Sequence, residues 1–445
     1  MGRKVFISFL GTNDYVECHY EFPDGDRSRP VRFIQEALVE ALCRGWDGET
    51  DKIFIFCTAA ATKYNWEDGG QPKNQQAEGL KRRLQEALSR LELPAAMVEK
   101  ADIPEGFSEK EIWEIFTAVY DKLAEGDEIY FDITHAFRFI PMLTTVLFNY
   151  AQAMKHTTVA AINYGAFEKL GPARNVNMEM PLAERVAPVL ELKSIVDLQL
   201  YTEAAGDLEK FGNVKRLTEV IPDSRVKQPQ ILEEFANATN KLIKNMAVNG
   251  MDNIKKGTDI RNIRDSWKNA KKQDIATPVR NIMEKLVSYI ENFEVSDSYK
   301  NVEAAVLWDI KYQMFPQAYT MLQEYTVSRA CDKLKRDFPS ETQRFAQGDD
   351  DKELRMFVSD LLAIEDKDLA NPTGLLQEYN DFCNLLLQDP FIKQLRPIYH
   401  QLAVARNEIN HAKKSSQPDV TKRCNDLQSK LKESFVQITA LINRG

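Results

Sequence analysis

The feature that most constrains the fold is a series of short apolar segments near the N-terminus, separated by stretches of helical periodicity. The four strongest are KVFISFL at 4–10, KIFIFC at 52–57, EIYFD at 128–132 and TVAAINY at 158–164. Strands that are apolar along their whole length belong to sheets with both faces covered, and intervening helices favour parallel connections. The sequence therefore predicts a Rossmann-like α/β domain with a parallel sheet over residues 1–182.

The remainder of the chain reads as helical, because strand signals stop after Pro188. Charged amphipathic segments predict a helical connecting region over residues 183–300. Residues 301–445 predict an all-α domain, with helices separated near Pro316, Pro339, Pro372 and Pro390. We thus expect an N-terminal α/β domain followed by an all-α C-terminal region.

Composition excludes several classes of protein. The six cysteines are scattered without CxxC or Cys/His spacing, so we expect neither a disulfide framework nor a metal site. No apolar run is long enough for a membrane span and no leader pattern is visible, which favours a cytoplasmic protein. A net charge of −9 argues against broad nucleic-acid binding. A polyanion would have to be held locally, by backbone amides, helix N-termini or a small basic cluster.

Polar loops follow three of the predicted strands. They are Gly11–Tyr15, Thr58–Trp66 and Ile133–Arg138. Ligands of doubly wound sheets bind outside the carboxyl ends of the strands, where such loops meet. The GxGxxG and GxxxxGK[ST] motifs are absent, so NAD, FAD or an ordinary NTPase cycle is not expected, nor any other cofactor. The loops predict a nucleotide-type pocket, unless they merely end the strands.

Three motifs resemble those of CARF domains, which occur in accessory proteins of type III CRISPR systems. They are FLGTNDY at 9–15, DITHAFR at 132–138 and NYGAFE at 163–168. The resemblance implies binding of a cyclic oligoadenylate across the two-fold axis of a dimer. Cyclic tetra-adenylate is the first expectation and cyclic hexa-adenylate the second. The implied ligand contacts are Gly11, Thr12, Asn13, Thr58, Thr134, His135 and Arg138.

Two of these contacts have alternative interpretations. Arg138 is the natural partner of a ligand phosphate, but it can instead pair with Asp132 within the domain. His135 can contact the ligand or cap the helix that follows. The residues alone leave both questions open.

Near the C-terminus, Arg406, Asn407 and His411 predict a site for RNA cleavage. Histidine moves protons near neutral pH, arginine stabilises charge on a scissile phosphate, and asparagine orients either partner. The RNA 2′-hydroxyl is then the nucleophile, so no metal is required and the products carry a 2′,3′-cyclic phosphate and a 5′-hydroxyl. Arg406 lies about 140° around the helix from His411, which favours a dimer in which each arginine reaches the partner's pocket.

The segment RNEINH, residues 406–411, resembles the motif of HEPN ribonucleases. Together with the CARF resemblance it implies an endoribonuclease, activated by the cyclic nucleotide, that cleaves single-stranded RNA in type III CRISPR antiviral defence. The implied assembly is a homodimer or a set of dimers. One alternative is a sensor that recruits partners without cutting, and another is a CARF domain that also degrades its activator through Thr12, Thr58 or Thr134.

The roles of two further features stay open. His400 precedes His411 by eleven residues and either assists in the pocket or has a packing or capping role. The basic run Lys255–Lys272 either guides RNA or forms a solvated helix face.

Overall fold

The structure, a computed structural model, describes residues 2–72, 75–135, 139–220, 229–345, 351–369, 371–410 and 419–444. It divides into two compact units, Met1–Asp197 and Leu198–Gly445. Arg138 and His411 lie outside the described residues.

The first unit is built on a seven-stranded sheet with the spatial order β2-β7-β6-β5-β1-β3-β4. The strands are β1 (Lys4–Leu10), β2 (His19–Glu21), β3 (Lys52–Cys57), β4 (Val98–Asp102), β5 (Glu128–Asp132), β6 (Thr158–Gly165) and β7 (Val186–Glu191). The five strands from β6 to β4 are parallel, as the apolar segments predict. β7 runs antiparallel to β6, and β2 pairs parallel with β7.

The prediction that residues 183–300 are helical is wrong at their start, because β7 spans Val186–Glu191 and contains Pro188. Proline has no backbone N–H to donate to a ladder, so it normally argues against an internal strand. Here the carbonyl of Pro188 still accepts a hydrogen bond of 2.9 Å from Ala166 N–H. β2 has only three residues and gives no strand pattern of its own.

Helices cover both faces of this sheet. They are α1 (Ile34–Leu42), α2 (Ala59–Ala61), α3 (Leu80–Arg90), α4 (Glu109–Lys122), α5 (Ile140–Lys155), α6 (Ala173–Glu179) and the beginning of α7 (Lys193–Phe211). A π-helical turn, Thr62–Trp66, continues α2. Leu38 of α1 and Leu84 of α3 share one core with Phe6, whereas Ile115 of α4 and Leu147 of α5 share another with Ile7. The predicted Rossmann-like α/β architecture is confirmed.

The second unit is helical throughout its described residues. Its helices after α7 are α8 (Lys215–Val220), α9 (Pro229–Ala247), α10 (Met251–Lys255), α11 (Thr258–Ala270), α12 (Thr277–Ser288), α13 (Tyr299–Lys311), α14 (Phe315–Asp337), α15 (Pro339–Thr342), α16 (Lys352–Ala363), α17 (Leu375–Glu378), α18 (Asn380–Leu386), α19 (Pro390–Asn410) and α20 (Val420–Arg444). One continuous apolar core joins them. The predicted all-α C-terminal region is confirmed. Among the described helices, none combines the length and apolar character that a membrane crossing needs.

Candidate functional site

The strand order places one crevice at the carboxyl edge of the sheet. From β1 the chain proceeds to β3 and β4 on one side, and then returns to β5 and β6 on the other. The connections that leave β1 and β5 run to opposite sides of the sheet, which opens a gap between them. Ligands of such sheets bind in this gap. The loop Gly11–Tyr15 after β1 and the segment Ile133–His135 after β5 flank this gap. Asn65 of the third predicted loop bonds to the first loop, so the structure brings all three together.

The carbonyl groups of the first loop are held by two buried amide side chains. Asn65 Nδ2 donates to the carbonyls of Gly11 and Asn13 at 2.8 and 2.9 Å. Gln71 Nε2 donates to the carbonyls of Thr12 and Asn13 at 3.3 and 3.2 Å, and to Asn65 Oδ1 at 2.8 Å. The amides therefore fix the direction in which the loop's carbonyls point.

The opposite side of that loop is accessible. Thr12 and Asn13 are exposed, and their backbone N–H groups donate to no acceptor in the described part of the chain. Arg32 steadies the end of the loop through the carbonyl of Tyr15 and the Asp14 carboxylate, both at 3.4 Å. Free N–H groups at the mouth of such a crevice are the donors that bind phosphate oxygens in doubly wound folds.

His135 is held against the first loop by Tyr15, with the two ring centroids 4.3 Å apart. Burial lowers the pKa of His135 to about 4, so the imidazole is neutral at physiological pH. Helix α5 begins at Ile140 with Phe139 as its N-cap residue and has no side-chain cap. This geometry disfavours the capping role for His135 and leaves a neutral ring beside the crevice.

Thr134 belongs to a buried polar network beneath the loops. Its hydroxyl accepts a hydrogen bond of 2.9 Å from Gly165 N–H at the end of β6. Its own N–H donates to the Asp132 carboxyl at 2.9 Å, and the Ser8 hydroxyl donates to the same carboxyl at 2.8 Å. Burial raises the pKa of Asp132, against the lowering effect of these donors. The network fixes the segment after β5 to both neighbouring strands.

Thr58 lies at the third predicted loop but is almost fully buried. Its hydroxyl caps α2 by accepting a hydrogen bond of 3.2 Å from Ala61 N–H. The structure thus gives Thr58 a capping role, and Asn65 is the residue of this loop that bonds to the Gly11–Tyr15 loop.

The residues that sequence reasoning missed as site residues are the supports of the loop: Asn65, Gln71 and Arg32. Asn65 and Gln71 are buried amides. They sit 54 and 58 residues, respectively, from their partners Gly11 and Asn13. No local spacing links them to FLGTNDY. The only available signal was the unusual run of polar residues after β3.

In the second unit, Arg406 and Asn407 lie in the last two turns of α19. Arg406 lies on the same helical face as the buried Tyr399 and Leu402, since these positions are three to seven residues apart. Its Nε atom is buried and has no hydrogen-bond partner among the described residues. Asn407 is exposed. Arg406 therefore starts on the packed side of α19 while Asn407 faces outward.

The sequence leaves open the roles of His400 and of the basic run Lys255–Lys272. In the structure, His400 and two arginines of the run bond to backbone carbonyls elsewhere in the second unit. His400 Nδ1 donates to the carbonyl of Ala363 at 3.1 Å, which caps the end of α16 and favours the capping role. In the basic run, Arg261 and Arg264 donate to the carbonyls of Val295 and Phe293 at 2.8 and 2.7 Å. These arginines hold the chain after α12, which favours a structural task.

No group of His, Cys, Asp and Glu side chains capable of holding a metal occurs within the described residues.

A family model matches most of the first unit. Residues 5–168 match the family described as CRISPR system endoribonuclease Csx1, CARF domain. The CRISPR-associated protein MJ1674 of Methanocaldococcus jannaschii is 20% identical over 327 residues, which cover 73% of this chain and 44% of that protein. The chain thus spans less than half the length of this curated relative. The structure of Enterococcus italicus Csm6 bound to cyclic hexa-2′-fluoro-hexa-dAMP is 11% identical with a TM-score of 0.49, over 99% of this chain and 94% of that one.

Proposed function

We propose that the chain is a CARF-containing accessory protein of type III CRISPR systems and an endoribonuclease switched on by a cyclic oligoadenylate. The first unit binds the activator in the crevice between β1 and β5. The second unit cleaves single-stranded RNA without a metal. The observation that carries the proposal is the pair of backbone N–H groups on Thr12 and Asn13. They donate to no acceptor among the described residues, and the amides of Asn65 and Gln71 hold the carbonyls of the same loop.

The crevice suits an oligonucleotide because it supplies neutral donors. The chain carries a net charge of −9, so attraction over the whole surface is weak, and binding must come from local donors. The N–H groups of the first loop bind phosphate oxygens, and the neutral ring of His135 contacts a base or ribose. Arg138, outside the described residues, supplies a positive charge. Cyclic tetra-adenylate is the proposed activator, with cyclic hexa-adenylate second.

The cleavage chemistry is assigned to Arg406, Asn407 and His411. His411 takes the proton of the RNA 2′-hydroxyl or returns one to the 5′-oxygen that leaves, and Arg406 stabilises charge on the phosphate. The buried Nε of Arg406 has no acceptor among the described residues, which supports this role because an unpaired guanidinium donor favours a ligand oxygen. Asn407 orients one of the two. The products carry a 2′,3′-cyclic phosphate and a 5′-hydroxyl.

The active form is a homodimer or an assembly of dimers. Arg406 and Asn407 diverge around α19, so a second copy of the helix completes the site more readily than one copy does. The activator controls cleavage only if it binds the cutting arrangement more tightly than the resting one.

A cleavage assay with fluorescent single-stranded RNA in EDTA tests the proposal. Cyclic tri-, tetra- and hexa-adenylate are added separately, to the wild type and to His411→Ala. We expect cleavage by the wild type with one ring only, and none by the variant. Intact RNA with every ring, despite measurable ring binding, would reject the nuclease and favour a sensor that recruits partners.

A further inference from the structure

Three helices of the second unit, α14, α16 and α19, pack against one another and carry a cluster of polar side chains between them. Arg355 of α16 joins two residues of α14: it donates to the Ser328 hydroxyl at 2.6 Å and to the Glu324 carboxylate at 2.7 Å. One turn further along α16, the Ser359 hydroxyl lies 3.1 Å from the hydroxyl of Tyr399 on α19. These bonds hold the cluster to a packed frame of three helices.

Arg406 belongs to the same cluster. It shares a helical face with Tyr399, and helical side chains incline towards the N-terminus, so its guanidinium extends from its Cα towards that phenol. Burial raises the pKa of Tyr399, and the nearby charges of Glu324 and Arg406 act on this pKa in opposite directions. The two arginines, Arg355 and Arg406, therefore lie in one cluster with Glu324.

Arg355 retains donors that its anchors do not use. A guanidinium carries five N–H groups, and the bonds to Ser328 and Glu324 occupy two of them. The Arg355 side chain is 28% exposed, so the remaining donors can meet a ligand. The two anchors also fix the plane of the group, which reduces the side-chain entropy that a ligand would otherwise cost on binding. Arg355 is thus a preorganised cation that is accessible from solvent.

The cluster suits a phosphate ligand. The buried Nε of Arg406 has no acceptor among the described residues, and phosphate oxygens match the planar donors of a guanidinium. The chain carries a net charge of −9, so RNA must be held by local groups of this kind. The basic run Lys255–Lys272 is less suited, because its Arg261 and Arg264 already bond to backbone carbonyls.

From these observations we propose that Arg355 binds a phosphate of the substrate RNA beside the scissile phosphate that Arg406 contacts. The inference rests on the proposed function, which places cleavage at Arg406. Glu324 and Ser328 are then positioning residues, since they hold the Arg355 guanidinium. A phosphate contact carries no base information, so Arg355 contributes affinity for single-stranded RNA of any sequence.

The test measures RNA binding by the full chain carrying His411→Ala, which prevents cleavage. Fluorescence anisotropy of a labelled single-stranded RNA gives the Kd at several salt concentrations, with cyclic tri-, tetra- or hexa-adenylate and with none. We expect Arg355→Gln to raise the Kd about tenfold. It should also lower the slope of log Kd against log salt by roughly 0.7, the value for one phosphate contact on a single strand. Arg355→Lys keeps the positive charge and should keep the slope.

Arg344→Gln is the matched control. Arg344 is also held by a carboxylate, that of Asp381, at 2.6 and 3.1 Å, and it is partly exposed. This control should keep the wild-type Kd and slope. An unchanged slope in folded Arg355→Gln would overturn the inference. An equal loss of slope in Arg355→Lys would also overturn it, because the arginine would then only tie α14 to α16.

The outcomes separate this inference from the proposed function. Cleavage of RNA by the wild type tests the proposed function, whereas the salt slope tests Arg355 whether or not RNA is cut. Absence of RNA binding with every ring would overturn the inference. The cyclic activator also carries phosphates, so calorimetry measures its Kd in the same variants. A weaker activator Kd in Arg355→Gln would assign the arginine to the activator and likewise overturn the inference.

Discussion

The phenol ring of Tyr15 packs against the imidazole of His135, with the ring centroids 4.3 Å apart. Tyr15 ends the loop after β1 and His135 follows β5, so this contact joins the two sides of the crevice. Phe33 supports Tyr15 from another side at 5.5 Å. The Tyr15 hydroxyl is buried beside the backbone of Gly11. The contact with His135 is therefore made by the ring and not by the hydroxyl.

Replacing Tyr15 by Ala removes that ring, and we expect the Kd for cyclic tetra-adenylate to rise about tenfold or more as His135 loses its support. Tyr15→Phe keeps the ring and is expected to bind within about threefold of the wild type. Isothermal titration calorimetry measures both. The maximal RNA cleavage rate at saturating activator should survive in each variant, since Tyr15 belongs to the other unit. Equal loss of affinity in the two variants would contradict the finding that the ring carries the contact.

Gly11→Ala tests how closely the loop packs. A Cβ at this position would stand 2.3 Å from the Tyr15 hydroxyl and 3.5 Å from His135 Cβ, so Tyr15 must move. We expect weaker activator binding and a destabilisation of about 1–3 kcal/mol from the overpacking. Gly206→Ala on α7 is the control, because a Cβ there meets no atom within 4 Å and alanine favours a helix. Titration calorimetry and thermal unfolding check both, and wild-type binding by Gly11→Ala would show that the loop has spare room.

Much of the first unit could be predicted because its signals are local. Apolar segments such as KVFISFL specify buried strands directly, and β1, β3 and β5 match the predicted segments closely. The alternation of strands and helices predicts a parallel sheet, but the strand order that locates the crevice is seen only in the structure. β7 could not be predicted, because Pro188 conceals a strand that depends on pairing with β6 and β2.

The supports of the site depend on contacts between distant parts of the chain. Nothing near Gln71 indicates that its amide holds the carbonyls of Thr12 and Asn13, since the partners meet only after the sheet has formed. Thr58 shows a different limit of the sequence. Its type and position at the end of β3 suit a ligand contact equally well, but its side chain caps α2. A hydroxyl after a strand can contact a ligand or cap a helix, and the sequence does not show how deeply it is buried.

Arg406→Ala and His411→Ala should each lower the rate of RNA cleavage by roughly 10²–10⁴-fold, because each removes charge stabilisation or proton transfer. Activator binding should be unchanged, which calorimetry checks beside the RNA assay. His156→Ala is the control, since this histidine is exposed at the C-terminal end of α5 and joins no proposed chemistry. Cleavage at the wild-type rate by either variant would remove that residue from the proposed site.

Asp309 of α13 should make the stability of the protein depend on pH. The carboxyl is fully buried, neither oxygen has a hydrogen-bond partner in the described residues, and burial raises its pKa to about 8. The unfolded chain loses this proton near pH 4, so between about pH 4 and 8 the folded state holds one proton more. The free energy of unfolding must then fall as pH rises through that window, by at most about 1.4 kcal/mol per unit, and level off above it. Urea unfolding from pH 5 to 9 measures the slope, and Asp309→Asn, which cannot ionise, should make it shallower. An identical slope in the variant would mean that Asp309 is ionised in the folded protein.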